Sequence, residues 1–152
     1  MKITKIGLLL LIIFSTSISF CYSQTGNDTL KQILSSKTFS LEEEYIGDWG
    51  GYIHIFNFST ENNTVQVKCK NPKLIKNEKE LDVLLSLNDI KKLENIFTDC
   101  YAKILNTKNA STEHIFYKFK NKEFTYIIDD KFTMECNEIF KAWKEMLLIK
   151  TE

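Results

Sequence analysis

The chain has 152 residues, with 20 basic residues against 20 acidic ones and a formal net charge of zero at pH 7. That balance gives no electrostatic reason to expect nucleic acid as a partner, and the length suits one domain rather than several. Every basic residue is Lys, so the chain lacks the guanidinium fork that recognises phosphate or carboxylate in a bidentate way.

Residues 1–23 read as a cleavable secretory signal peptide. Lys2 and Lys5 make a positive start, Ile6 to Phe14 an apolar run, and Ser15 to Ser19 a polar break. The run is shorter than the roughly 20 apolar residues that cross a bilayer, which argues against an uncleaved anchor. Cys21 and Ser23 stand at −3 and −1 of a cut before Gln24, and both are small. Lipid attachment at Cys21 is disfavoured, because the large Phe20 precedes it where a lipoprotein signal wants a small residue. The expectation is an exported protein, periplasmic or secreted. Its mature chain of 129 residues has no transmembrane segment.

Residues 24–37 open on Gln-Thr-Gly-Asn-Asp-Thr and read as a mobile lead-in with at most one helical turn at Leu30–Leu34. Phe39, Leu41, Glu43 and Tyr45 then alternate with polar residues, the period of a half-buried strand. Asp48-Trp49-Gly50-Gly51 supplies a turn. Tyr52 to Phe58 is a second strand, apolar on both faces, and a polar hairpin leads to a third at Val65, Val67 and Cys69. After Asn71-Pro72, Leu81, Val83, Leu85 and Leu87 fall on odd positions and predict a fourth strand, with a short helix as the competitor. From Ile90 to Ile104 the period becomes three to four, giving an amphipathic helix with Asn88 as its cap. Asn106 to Ser111 reads as a turn. Glu113–Phe119 and Phe124–Ile128 form a second hairpin. Thr133 then caps a helix with Cys136, Phe140, Trp143 and Leu147 on one face. The prediction is an α+β domain over 38–150. It has a mainly antiparallel sheet of five to six strands and two amphipathic helices, in the order β-β-β-β-α-β-β-α.

Motifs for chemistry are absent from the sequence. No Gly-x-Ser-x-Gly elbow, phosphate-cradling glycine loop, zinc helix or calcium loop occurs, so no catalytic residue, metal site or cofactor is assigned. His54 and His114 fall on strands and could face one cavity, although nothing in their spacing requires it. Glu43 shares parity with apolar residues. It is either a carboxylate of raised pKa or a residue that reaches solvent or pairs with a Lys of the next strand. Cys69, Cys100 and Cys136 remain after cleavage, and two of these three could form a disulfide in an oxidising compartment.

Trp49 at the hairpin tip either anchors a contact or folds back as a plug over the sheet end. The strands around Ile55 and Phe116 are apolar on both faces. Two helices cover one face of a sheet, so the other must meet a curled continuation of the chain, a ligand or a partner. The layout resembles that of small exported proteins of Bacteroidetes type. The shared features are the leader ending near Tyr22-Ser23-Gln24, the low-GC composition, the Trp49-Gly50-Gly51 hairpin, the middle helix, and a closing hairpin followed by Cys136 to Trp143. Asp28-Thr29-Leu30 looks like the O-glycosylation triplet of that phylum. The resemblance carries no activity.

The functional expectation is a non-enzymatic protein-binding domain, as an inhibitor, immunity or accessory factor, with an envelope or secreted protein as partner. The alternative is a carrier of a small hydrophobic ligand, with an enzyme third. Trp49, Tyr52, Phe56, Phe116 and Tyr126 are the candidate binding residues.

Overall fold

The computed structural model describes residues 26–48, 50–70, 80–106, 113–130 and 134–150. The expected signal peptide, Trp49, the Asn71-Pro72 interruption and the Thr133 cap lie outside them.

The sequence reading differs from the structure first at the N-terminal end, where it expected a mobile lead-in and only two helices. Residues 26–34 form a further helix, α1, and Leu30, Ile33 and Leu34 are buried in the core. Gly26, Asn27, Asp28 and Thr29 are poor helix formers. Burial of three aliphatic side chains, worth about 1.5–3 kcal/mol each, outweighs that preference.

Alternation then builds a meander. Strands β1 (Thr38–Gly47) and β2 (Gly50–Glu61) pair antiparallel, with Phe39 opposite Phe58 and Tyr45 opposite Tyr52. Both glycines of their turn are required: Gly50 has φ +114°, and a Cβ on Gly51 would strike the Tyr45 carbonyl. Asn62 and Asn63, at φ 47° and 65°, make the mirror-image turn that suits a tight hairpin, leading into β3 (Thr64–Lys70). Leu81–Ser86 is strand β4, alternating buried and exposed as its odd-numbered leucines and valine predict.

Helix α2 (Leu87–Asn106) follows without a gap. The cap is Ser86 rather than the expected Asn88, because the strand runs directly into the helix. The Ser86 Oγ accepts from the Asp89 amide at 3.2 Å, and Asp89 Oδ2 accepts from the Ser86 amide at 3.1 Å and its hydroxyl at 2.8 Å. This is the reciprocal arrangement of a capping box. Strands β5 (His114–Lys120) and β6 (Thr125–Asp130) form the second hairpin, and helix α3 (Met134–Ile149) closes the chain. The order is therefore α-β-β-β-β-α-β-β-α.

The strands make one six-stranded sheet in the order β4-β3-β2-β1-β5-β6, antiparallel throughout. Helix α2 carries the chain from one edge back past the centre. Its 20 residues measure roughly 30 Å, enough to cross four strand spacings of about 4.8 Å. Phe97 of α2 sits against Tyr117 and Phe119 of β5, at centroid distances of 5.0 and 4.7 Å, and against Phe140 of α3 at 5.2 Å. Phe56 of β2 meets Phe140 and Trp143 edge-on. All these rings lie on the same side of the sheet, so the helices cover one face, and among the described residues no element covers the other.

Candidate functional site

Glu42, Glu43 and Glu44 follow one another in β1, so they point to alternate faces. Glu43 points under the helices, where it is fully buried. Lys144 of α3, only 5% exposed, donates to its Oε1 at 2.7 Å and its Oε2 at 2.8 Å. His54, directly opposite on β2, donates from Nδ1 to Oε2 at 2.9 Å. An ionised carboxylate only accepts, so this bond puts a proton on Nδ1; the other ring nitrogen, Nε2, is buried and without a hydrogen-bond partner among the described residues. Lys144 also sits 4.9 Å above the Phe140 ring, a favourable place for a desolvated cation. The aromatic column Tyr45, Tyr52 and His54 continues the centre along the same face, with centroid spacings of 5.4 and 4.5 Å.

The centre resembles a hydrolytic triad in one respect only, a carboxylate orienting an imidazole. The nearest thiol along the face, Cys69, is diagonal to His54 through its partner Phe56. Burial, reinforced by the Glu43 charge, pushes the Cys69 thiol up to about 11 despite a hydrogen bond from the Ile55 backbone and the Lys144 charge. Such a thiol is a poor nucleophile at neutral pH. Burial, then the Glu43 charge, likewise raises the Tyr52 hydroxyl to about 12. The arrangement is suited to clamping α3 onto the sheet.

The opposite face is different. In the row through Glu42, Lys118 of β5 stands on one side and Ile55 of β2 on the other, with Ile127 of β6 beyond Lys118. In the row through Glu44 the neighbours are Phe116 and Ile53. Ile46, Ile53, Ile55 and Ile127 are 48, 54, 42 and 52% exposed. Lys118 donates to Glu42 Oε1 at 2.9 Å and also to Glu44, and Lys120 reaches Glu42 Oε2 at 3.4 Å. The Lys118 hydrogen bond holds the Glu42 carboxyl below its usual range. His114 stacks on Phe116 at 5.6 Å and bonds Asp129 through Nδ1 at 2.8 Å. The result is a mosaic of exposed apolar side chains around a neutralised charge cluster.

Among the sequence-predicted binding residues, Tyr52, Phe56 and Tyr126 lie on the helix-covered side, where Phe56 and Tyr126 are buried. Phe116 lies on the open side, opposite Glu44, and Trp49 is outside the described residues. These residues therefore do not line one space. His54 and His114 also face opposite sides, so no paired histidine site forms. Cys69, Cys100 and Cys136 are all buried, and none is in a disulfide in this structure. Among the described residues no cluster of His, Cys, Asp or Glu is arranged to hold a metal, and no helix is long and apolar enough to cross a membrane.

Two shallow grooves of about 440 and 820 Å³ flank the start of β1 and the β5–β6 turn, far along the sheet from Glu43. What sequence reasoning missed was Lys144, because α3 carries two lysines, Lys141 and Lys144, and strand parity says nothing of which helix residue would reach Glu43. It also missed the Glu42–Lys118–Glu44 cluster, although strand parity already placed both carboxylates away from Glu43. Comparison with protein-family models and with curated proteins finds no match.

Proposed function

We propose that the chain is a small exported protein-binding module and that the open face of its sheet is the docking surface. The observation that carries this reading is the asymmetry of the sheet: helices cover one face, while Ile53 and Ile55 of β2, Ile46 of β1 and Ile127 of β6 remain exposed on the other. A surface of exposed apolar side chains spread over several strands suits a protein partner better than a small ligand, which a single enclosed cavity would hold. Its mixture of isoleucine, one aromatic ring and paired charges fits the apolar centre and polar surroundings of a protein interface. The partner expected is a protein presenting an apolar patch with a polar rim around it. Export is supported by the composition of the first 23 residues.

The test is crosslinking and affinity recovery of the tagged full chain from its own cell envelope, beside the variants Ile53→Lys and Lys91→Ala. Ile53 is exposed on β2 and Lys91 is exposed on α2, so both variants should unfold within about 1 kcal/mol of the wild type. One stoichiometric protein recovered by the wild type and Lys91→Ala, and lost from Ile53→Lys, is the expected result. Equal recovery by Ile53→Lys would move the contact off this face.

A further inference from the structure

Phe97 of α2 and Phe140 of α3 meet at a centroid distance of 5.2 Å; Cys100 lies one turn beyond the first and Cys136 one turn before the second, both are buried, and the Cys136 thiol is the leading influence on Cys100. The three cysteines among the described residues allow three pairings, and the fold brings one of them together. Cys69 sits apart on β3, opposite Phe56, in the surroundings of Glu43 and Lys144. The neighbours of Cys100 are instead Cys136, Asp130 and Lys103. We infer that in an oxidising compartment Cys100 and Cys136 are joined by a disulfide that staples α2 to α3, while Cys69 keeps its thiol. This rests on the export half of the function proposed above and is independent of the docking face.

The chemistry fits the folding chain better than the finished fold. The contact with Cys136 and burial together hold the Cys100 thiol above its ordinary range, so little attacking thiolate exists once the helices have docked. Exchange therefore takes place while α2 and α3 are still approaching each other. One cysteine thiolate attacks a sulfur of an oxidant disulfide, such as oxidised glutathione, forming a mixed disulfide and releasing one glutathione thiolate. The second cysteine, as its thiolate, then attacks the first cysteine's sulfur and releases the second. The two protein thiols lose two electrons and two protons, which leave as the two thiols of the reduced oxidant. The bridge ties together segments separated by the whole β5–β6 hairpin, so its main effect is on the unfolded chain, whose freedom it restricts.

The experiment refolds the full chain from denaturant with oxidised glutathione in excess. Remaining thiols are alkylated, and tryptic peptides are mapped without reduction. The expected result is a linked pair of peptides containing Cys100 and Cys136 that separates on reduction, with Cys69 recovered alkylated. In parallel, reductant should lower the Tm of the oxidised wild type by on the order of 10 °C and leave Cys136→Ser unmoved. Recovery of Cys100 and Cys136 as alkylated thiols, or Cys69 in the linked pair, would overturn the assignment. A wild-type Tm indifferent to reductant would overturn the staple. None of these readouts depends on whether the chain is exported, so failure here leaves that question separate.

Discussion

Two clusters of the same chemistry, Glu43–Lys144 and Glu42–Lys118–Glu44, occupy the two faces of one strand. The first is sealed under α3 with a histidine as its third member. The second lies on the open face, with side chains about one-fifth exposed. What separates them is the solvent. Under the helix each charge has given up its water and depends entirely on its partner. On the open face water screens both members and replaces either one. Equal geometry therefore does not mean equal energy.

The largest expected effect comes from breaking the buried pair. Lys144→Met leaves the Glu43 carboxylate desolvated with only His54, and should cost about 3–5 kcal/mol in urea unfolding. Adding Glu43→Leu to that variant should recover most of the loss, since an apolar pair of similar volume has no charge to desolvate. A double variant as unstable as the single would mean that the cost is one of packing, not of charge.

Asp89 is intermediate, nearly buried at the start of α2 and bonded to Lys150 at 2.7 Å as well as to Ser86. Burial works to raise its pKa, but the Lys150 ammonium and the Ser86 hydroxyl and amide outweigh burial and hold the carboxyl far below its usual range. A depressed pKa contributes stability that is fully present above the unfolded value, about pH 4, and is lost as pH falls toward the folded one. Asp89→Asn should cost about 1 kcal/mol at neutral pH. The urea midpoints of variant and wild type should converge below about pH 4. A gap that widens on acidification would reverse the sign and reject this account.

The smallest effect belongs to the open face. Lys118→Met should change stability by less than about 1 kcal/mol, and high salt should shrink even that difference. A loss comparable to that of Lys144→Met would erase the distinction between the two faces.

Much of this was legible in the strands. Alternation assigned Glu43 to the same face as Phe39 and Leu41, and it marked Ile53 and Ile55 as a second apolar face. The change of period at Ile90 marked α2. The partner of Glu43 was not legible, because Lys144 lies 101 residues away and only the docking of α3 selects it over Lys141, the other lysine of that helix. Helix α1 was hidden for the opposite reason. Its first residues favour a loop, and only the spacing of Leu30, Ile33 and Leu34 recorded the core that overrides them. The Ser86 cap was obscured by a strand that runs into a helix with no intervening turn.

The central position of β1 also sets an order of events. One of its neighbours, β2, arrives through a tight hairpin, while the other, β5, is distant enough that Glu42 and its partner Lys118 are 76 residues apart. Local pairing is fast and long loop closure is slow. The β1–β4 meander can therefore assemble first, with one long edge of β1 bare until α2 and the second hairpin return to it. During that interval the unpaired edge is a template for another chain, so yield in refolding should fall as protein concentration rises, well before the native state itself loses stability.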